Sequence, residues 1–311
     1  MSKELWVVGT GLIGTEVAKL ARGLGIEVTQ TTKDGKGDGD WGLDHVDITR
    51  YEEVEKYFWD HNFKKVVVAA GVTLPSAAER NSELTYLVNA EGPKNIGLAA
   101  LSLPINRRPS IVFMGSALQY DITKTGPVTE DTPLLKNGNV YAMSKTKMVE
   151  YVMDLVSKGL DARVAMTFNT TGRGQSTDYF LPSMADQVAK ITLGLKEPVL
   201  TSHYVDHIRD FSHVSDTAEG ILLTLKGKTG NLINVSSGRG VRLRDIVDML
   251  IEMSGVSGIS HVIDPGFNTP PKIMPTWGDN TYLRSLGFVP KKTITDICRD
   301  LFDEHIELNK G

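Results

Sequence analysis

The chain has 311 residues, 41% of them hydrophobic, enough to bury a sizeable core in one large domain or in two lobes. A net charge of −4 gives no electrostatic basis for binding nucleic acid or an anionic membrane, and no apolar run approaches the ~20 residues of a membrane helix. The single cysteine, Cys298, excludes an intrachain disulfide and a multi-cysteine metal cluster, fits a reducing cytoplasm, and sits in a helical pattern where a buried, inert thiol is expected.

In chain order, Glu4–Gly9 reads as a first strand rather than as part of a signal peptide. Leu12–Leu24 is an apolar-faced helix, Ile26–Thr31 a second strand, and the Gly/Asp-rich Lys33–Gly42 a loop. Tyr51–His61 predicts a helix, Lys64–Ala70 a strand around Val66-Val67-Val68, and Ala77–Leu101 a largely helical stretch. Ser110–Gly115 predicts a strand, Val140–Ser157 a helix and Ala162–Phe168 another strand. Apolar strands alternating with helices predict an α/β fold, a doubly wound parallel sheet with helices on both faces. After Asn169 the pattern changes to helices at about 178–195, 214–226, 242–254 and 294–308, separated by short strands and loops. Asn231–Val235 reads as a late strand returning to the sheet, and Pro265–Pro275, with four prolines, as irregular. No repeat or flexible linker interrupts the chain. Residues 1–168 are therefore expected to form one domain, to which about 208–236 returns, and 169–311 a smaller, interleaved α/β lobe, with ligand between the two.

Gly9, Gly11 and Gly14 stand where the first strand turns into the first helix. The first allows a tight turn, the second lets a pyrophosphate approach the backbone, and the third permits close helix–strand packing. The helix start offers N–H groups and positive dipole to phosphates. At the end of the second strand, a dinucleotide lacking a 2′-phosphate would call for an Asp or Glu about 20 residues on. The chain instead has Gln30-Thr31-Thr32-Lys33, so Thr32 and Lys33 predict NADP rather than NAD, although a solvated loop would look the same and Asp34 follows directly.

Tyr141 and Lys145, four apart, project from one helix face. A neighbouring ammonium is expected to lower the phenol's pKa, so the pair could trade a proton with a hydroxyl or carbonyl. Ser116 ends a buried-looking strand 25 positions before Tyr141, where its hydroxyl could bind the same reacting oxygen or simply cap a turn. The histidines, His213 among them, show no metal-ligand spacing, and no metal is expected.

The glycine turn, Ser116 and Tyr141-x-x-x-Lys145 together resemble the short-chain dehydrogenase/reductase superfamily, in its extended branch of nucleotide-sugar epimerases, dehydratases and reductases. Further segments carry the likeness over nearly the whole chain. Phe168-Asn169-Thr170-Thr171-Gly172-Arg173-Gly174-Gln175-Ser176 is similar to the Phe-Asn-His-Thr-Gly-Pro-Gly-Gln-Ser segment of GDP-4-keto-6-deoxymannose reductases. Arg209-Asp210-Phe211-Ser212-His213-Val214-Ser215-Asp216 resembles the branch's Arg-Asp-Phe-x-x-Val-x-Asp motif. The resemblance implies a Rossmann domain whose cofactor touches Leu12 and Ile13 beside the three glycines, Asp47-Ile48 at the adenine, Ala69-Ala70-Gly71, Asn89 and Phe168. It implies that Lys145 binds the nicotinamide ribose as well as acting on Tyr141, that Thr73, Ser116, Asn169 and Gln175 contact substrate, and that the subunits form a homodimer. The dimer is expected to pack the Ala77–Leu101 and Val140–Ser157 helices together, Met148, Val152 and Leu155 being enough to cover a second face beyond the one against the sheet, whichever of the two lies within the subunit.

Dehydratases of this branch carry carboxyl groups directly after the hydroxyl residue, where this chain has Ala117-Leu118. The fucose-type epimerase-reductases use a Cys and a His, and Cys298 lies far along the chain. Reduction at one carbon remains, as NADPH-dependent reduction of the C4 ketone of a nucleotide-linked 4-keto-6-deoxyhexose, with an NAD-retaining 4-epimerase as the alternative. A silent cofactor sensor is the alternative of another class, although it would have no need of Ser116, Tyr141 and Lys145 together. The branch's Arg three residues before Asn169 is Met166 here, and an expected diphosphate-binding Arg is Pro270. Arg209 and Lys272 are left for the diphosphate, Lys272 without a bidentate fork.

Overall fold

Side chains in a strand point alternately to opposite faces. A strand apolar at every position must therefore be covered on both sides, as Leu5-Trp6-Val7-Val8 is. A computed structural model of the protein describes residues 4–33, 43–264 and 274–310. The first half runs β1 (Leu5–Val8), α1 (Leu12–Gly23), β2 (Val28–Thr32), β3 (Asp44–His45), α2 (Tyr51–Asp60), β4 (Lys65–Val68), α3 (Pro75–Arg80), α4 (Ser82–Tyr86), a π turn over Leu87–Glu91 and α5 (Gly92–Ser102). It continues with β5 (Ser110–Ser116), β6 (Gly126–Val128), α6 (Val140–Ser157) and β7 (Ala162–Thr167). The second half runs β8 (Asn169–Thr171), α7 (Phe180–Thr192), β9 (Val199–Ser202), β10 (Ile208–His213), α8 (Val214–Thr224), β11 (Leu232–Val235), β12 (Gly240–Arg242) and α9 (Leu243–Ser254). It closes with β13 (Ser260–Ile263), β14 (Thr276–Gly278), α10 (Thr281–Ser285) and α11 (Ile294–Lys310).

Seven strands form a parallel sheet in the order β3-β2-β1-β4-β5-β7-β11. Strand alternation divides its apolar side chains between two cores. Trp6, Val8, Val66, Val68, Ile111 and Phe113 pack with α2, α5 and α6 on one face. Leu5, Val7, Val67, Val112 and Met114 pack with α1, α8 and α10 on the other. A third core, among α7, α9 and α11, holds Leu181, Val188, Val247 and Leu301. Cys298 is buried there, and burial pushes its thiol pKa up to about 12. The chain leaves β1 towards β2 and β3, then returns to β4 on the other side of β1. That reversal opens a crevice at the carboxyl ends of β1 and β4.

The stretch expected as largely helical over Ala77–Leu101 is helical but for Asn81, as successive short pieces rather than one helix. Asn81 stops α3 and caps α4, its Oδ1 accepting from Leu84 N at 3.0 Å, and the π turn precedes Pro93, which cannot donate to the carbonyl four residues back. Met148, Val152 and Leu155, enough in the sequence for a second face, are all buried in the subunit's own core and supply no face for a partner, because α6 is buried broadly against both the sheet and its neighbouring helices. Most of Pro265–Pro275 and most of the loop expected over Lys33–Gly42 lie outside the described residues.

Candidate active site

The crevice is one cavity of 1020 Å³ running from the Gly9–Gly14 turn, past Ser116 and Tyr141, to Arg209 in the second half of the chain. Gly9 has φ +106°, and a Cβ there would come within 2.8 Å of Ala70 N, so the turns after β1 and β4 touch. A Cβ at Gly14 would meet Gly9 O at 2.4 Å, which makes its hydrogen a condition of seating α1 on β1. At Gly11 no atom lies within 4 Å of where a Cβ would stand, and the residue faces the cavity. Tight turn, open cradle and helix start are together the shape and polarity a dinucleotide pyrophosphate needs, so the residues present fit that group. Leu12, Ile13, Ala69, Ala70, Gly71 and Phe168 line the same space.

At the far end of the turn, Gln30 Nε2 donates to Gly9 O at 3.0 Å and is consumed by the turn itself. Thr32, Lys33, Asp47 and Ile48 face the cavity. Lys33 Nζ stands 3.1 Å from Asp47 Oδ2. Burial raises the Asp47 pKa, but hydrogen bonds from Thr49 and the contact with Lys33 outweigh it and hold the carboxyl below its ordinary value. The two residues expected at separate parts of the adenosine thus form one ion pair, because β2 and the segment after β3 run side by side.

Ser116, at the end of β5, caps a turn as expected and also faces Tyr141. Its Oγ accepts from Leu118 N at 3.3 Å as the cap of a single 3₁₀ turn, Ala117–Gln119, and its hydroxyl lies against Tyr141. Gln119 Oε1 accepts from Ser116 N at 2.7 Å and holds the residue in place, a role the sequence reading missed. Tyr141 lies in the first turn of α6, which Asn139 caps by accepting from Ala142 N at 2.8 Å. Lys145 is one turn further on, with Nζ donating to Met114 O at 2.9 Å. The expectation that Lys145 holds the Tyr141 pKa down is corrected for the protein alone. Burial raises Tyr141 against the opposing Ser116 contact, and burial brings Lys145 down to about 8. Asn89 is fully buried and does not line the cavity. Its Oδ1 accepts from Val72 N, and its Nδ2 donates to Val72 O and Ser144 Oγ, so it ties the turn after β4 to α6 beside Lys145.

The second half supplies the other wall. Asn169, expected to offer its amide to substrate, donates it to Asp210 O at 2.7 Å. Gln175 Nε2 donates to Thr170 O at 3.0 Å, which leaves Oε1 as the end without a partner. Arg209 Nη1 donates to Ile208 O at 2.7 Å; among the described residues no carboxylate pairs with this partly buried guanidinium. Asp210 is nearly fully buried and its carboxylate accepts from Ser237 N and Oγ, Gly238 N and Gly278 N, latching β10 to the loop after β11 and to β14. Thr73 Oγ1 and Tyr179 Oη share a hydrogen bond of 2.8 Å across the cavity. Tyr179 is another residue the sequence reading missed, since no motif signals it. Lys272 lies outside the described residues. Among the described residues no three His, Cys, Asp or Glu side chains gather as a metal site, and no helix is long and apolar enough to cross a membrane.

Residues 6–236 match the model of the NAD dependent epimerase/dehydratase family. The chain belongs to that family. It is thus an extended short-chain dehydrogenase/reductase, an enzyme class working with a nicotinamide dinucleotide. The chain is 27% identical to UDP-glucose 4-epimerase of Azospirillum brasilense over 79% of its own length and 73% of that protein's. It is 25% identical to GDP-6-deoxy-D-mannose reductase of Pseudomonas aeruginosa over 79% and 81%. In fold it is similar to the solved structure of RMD from Pseudomonas aeruginosa complexed with NADPH, with a TM-score of 0.84, 22% identity, and coverage of 99% of this chain and 100% of that one.

Proposed function

We propose that the protein reduces the C4 ketone of a nucleotide-linked 4-keto-6-deoxyhexose with NADPH. The observation that carries this reading is the neighbourhood of Ser116 and Tyr141. Both face the cavity beside Ala117 and Leu118, which can move no proton, while Cys298 is shut inside the core of α7, α9 and α11. The site therefore holds a proton donor for one oxygen and lacks the acid beside Ser116 that dehydration would use and the cysteine that epimerisation at C3 and C5 would use. A bound nicotinamide would supply the hydride. Ser116 would hydrogen-bond the ketone oxygen and Tyr141 would give it a proton. Lys145, one turn behind Tyr141, would bind the cofactor ribose and, once its ammonium is stabilised there, lower the phenol's pKa. Arg209, charged and unpaired by any described carboxylate, would take the substrate diphosphate. We assign residues 1–168 to the cofactor domain and 169–311 to the substrate lobe, and we infer a cytoplasmic homodimer.

One observation favours a second reading. The Lys33–Asp47 pair engages the cation on which an NADP preference rests, which suits an NAD-retaining 4-epimerase. The test is incubation with GDP-4-keto-6-deoxymannose and NADPH. We expect one cofactor consumed per sugar, a product changed only at C4 by NMR, and tighter binding of NADPH than of NADH. Absence of NADPH oxidation with the GDP-, UDP- and TDP-linked ketosugars, together with interconversion of UDP-glucose and UDP-galactose without added cofactor, would overturn the reductase reading in favour of the epimerase.

A further inference from the structure

Thr73 follows β4 in the sheet domain, and Tyr179 caps α7 in the second half of the chain, yet their hydroxyls meet at 2.8 Å. Both residues line the cavity that holds Ser116 and Tyr141. The backbone of Tyr179 is fixed on both sides, with its N–H donating to Ser176 O at 3.2 Å and its carbonyl accepting from Ser183 N at 3.0 Å. Tyr179 also lies near Tyr141 in that cavity. Leu74, Pro75 and Phe180, beside the pair in the chain, line the same cavity, as do Ser176 and Asp178.

Two hydroxyls that share one hydrogen bond still keep one O–H and spare lone pairs to offer. A neutral sugar hydroxyl, itself donor and acceptor, can join such a couple at both ends. A carboxylate, which only accepts, could not satisfy the pair's lone pairs and would need a cation. Among the described residues that line the cavity the cations are Lys33, paired with Asp47, and Arg209, which belongs to the proposed diphosphate end. We propose that Tyr179 is a substrate-contacting specificity residue, and that its phenol, coupled to Thr73, reads a hydroxyl of the bound sugar next to the reacting carbon. The inference rests on the nucleotide-sugar reading above and selects neutral sugars over uronic acids within that class.

The experiment is calorimetric titration of the protein saturated with NADP⁺, using GDP-mannose and UDP-glucose as probes and GDP and UDP as sugar-free controls. Tyr179→Phe keeps the ring and Thr73→Val keeps the side-chain shape, so each removes only a hydroxyl. We expect either variant to weaken the sugar nucleotide that the wild type binds by about three- to tenfold, the range of one ordinary hydrogen bond, while the nucleoside diphosphates and NADP⁺ bind within about twofold of wild type. Thr73→Ser, which restores the hydroxyl, should bind as wild type does, and the double variant should be no weaker than the singles because the couple acts as a unit. Wild-type affinity for sugar nucleotides in both single variants overturns this inference and leaves the nucleotide-sugar reading standing. Equal weakening of the sugar-free controls also overturns it, since that would mark a structural role. A wild type that binds none of the four probes overturns both.

Discussion

Lys145 is buried beside a carbonyl and has no carboxylate against it among the described residues, so the fold holds its ammonium at a cost. Its pKa, brought down to about 8, lies below the ordinary lysine value of 10.5. Between those values the unfolded chain binds the extra proton, so stability must rise with pH there. The raised pKa of Tyr141 acts in the opposite sense above about pH 10, where an unfolded chain would lose its phenolic proton first. The rise should therefore be seen from pH 8 to about 10. Urea unfolding of the ligand-free protein should show the wild type gaining on the order of 2 kcal/mol over Lys145→Met across that window. Parallel profiles for the two proteins would show that the ammonium is not desolvated. At Tyr141 the expectation concerns rate. Tyr141→Phe removes a proton donor but no packing, so turnover should fall by about two to four powers of ten while NADPH affinity, read by fluorescence titration, stays near wild type. Retention of most of the wild-type rate would remove Tyr141 from the chemistry.

At the scale of elements, the strand–turn–helix of β1 and α1 separates two uses of glycine that a motif alone treats as one. An alanine methyl at position 14 would press on Gly9 O, backbone that cannot swing aside. Gly14→Ala should lower the unfolding free energy by about 1–3 kcal/mol even without cofactor. A methyl at position 11 meets nothing in the protein but enters the space where the pyrophosphate would lie. Gly11→Ala should melt with the wild type and bind NADPH at least about tenfold more weakly. A normal melting temperature for Gly14→Ala, or normal affinity for Gly11→Ala, would each show that the turn is placed differently. The span of α6 was readable from its periodicity alone, and the helix runs over the residues expected, Val140–Ser157. The break at Asn81 and the π turn were not readable, because a cap and a wide turn leave the apolar pattern of the stretch intact.

At the scale of the molecule, the proposed homodimer cannot use Met148, Val152 and Leu155, which are buried in the subunit, and is left with the exposed part of the Ala77–Leu101 stretch. Leu84, Tyr86 and Leu87 are 40%, 37% and 39% exposed on α4 and the π turn after it, next to α6. An apolar centre that excludes water is what a stable subunit contact requires. Leu87→Glu should leave the secondary structure unchanged by circular dichroism and shift sedimentation at micromolar concentration from dimer to monomer. A wild type already monomeric at that concentration would refute the dimer. Val152→Glu would instead place a carboxylate in the core beneath α6 and test only folding.

Local chemistry determined much of this protein. Strands apolar at nearly every position, amphipathic helices and a glycine turn between them were enough for a parallel sheet wound on both faces, because those signals depend on neighbours a few residues away. Ser116, Tyr141 and the glycine turn could be named for the same reason, and the fold brings them to one cavity. What the side chains touch across the chain was decided only by tertiary structure. The Lys33–Asp47 pair depends on β2 and β3 lying in register. The turn of Asn169 towards Asp210 depends on β8 pairing with β10. Tyr179 reaches Thr73 only because α7 is set against the mouth of the sheet, 106 residues further along the chain. The pKa values of Tyr141 and Lys145 followed burial rather than their spacing on one helix, because desolvation is a property of everything packed around a group and a sequence interval of four carries no record of it.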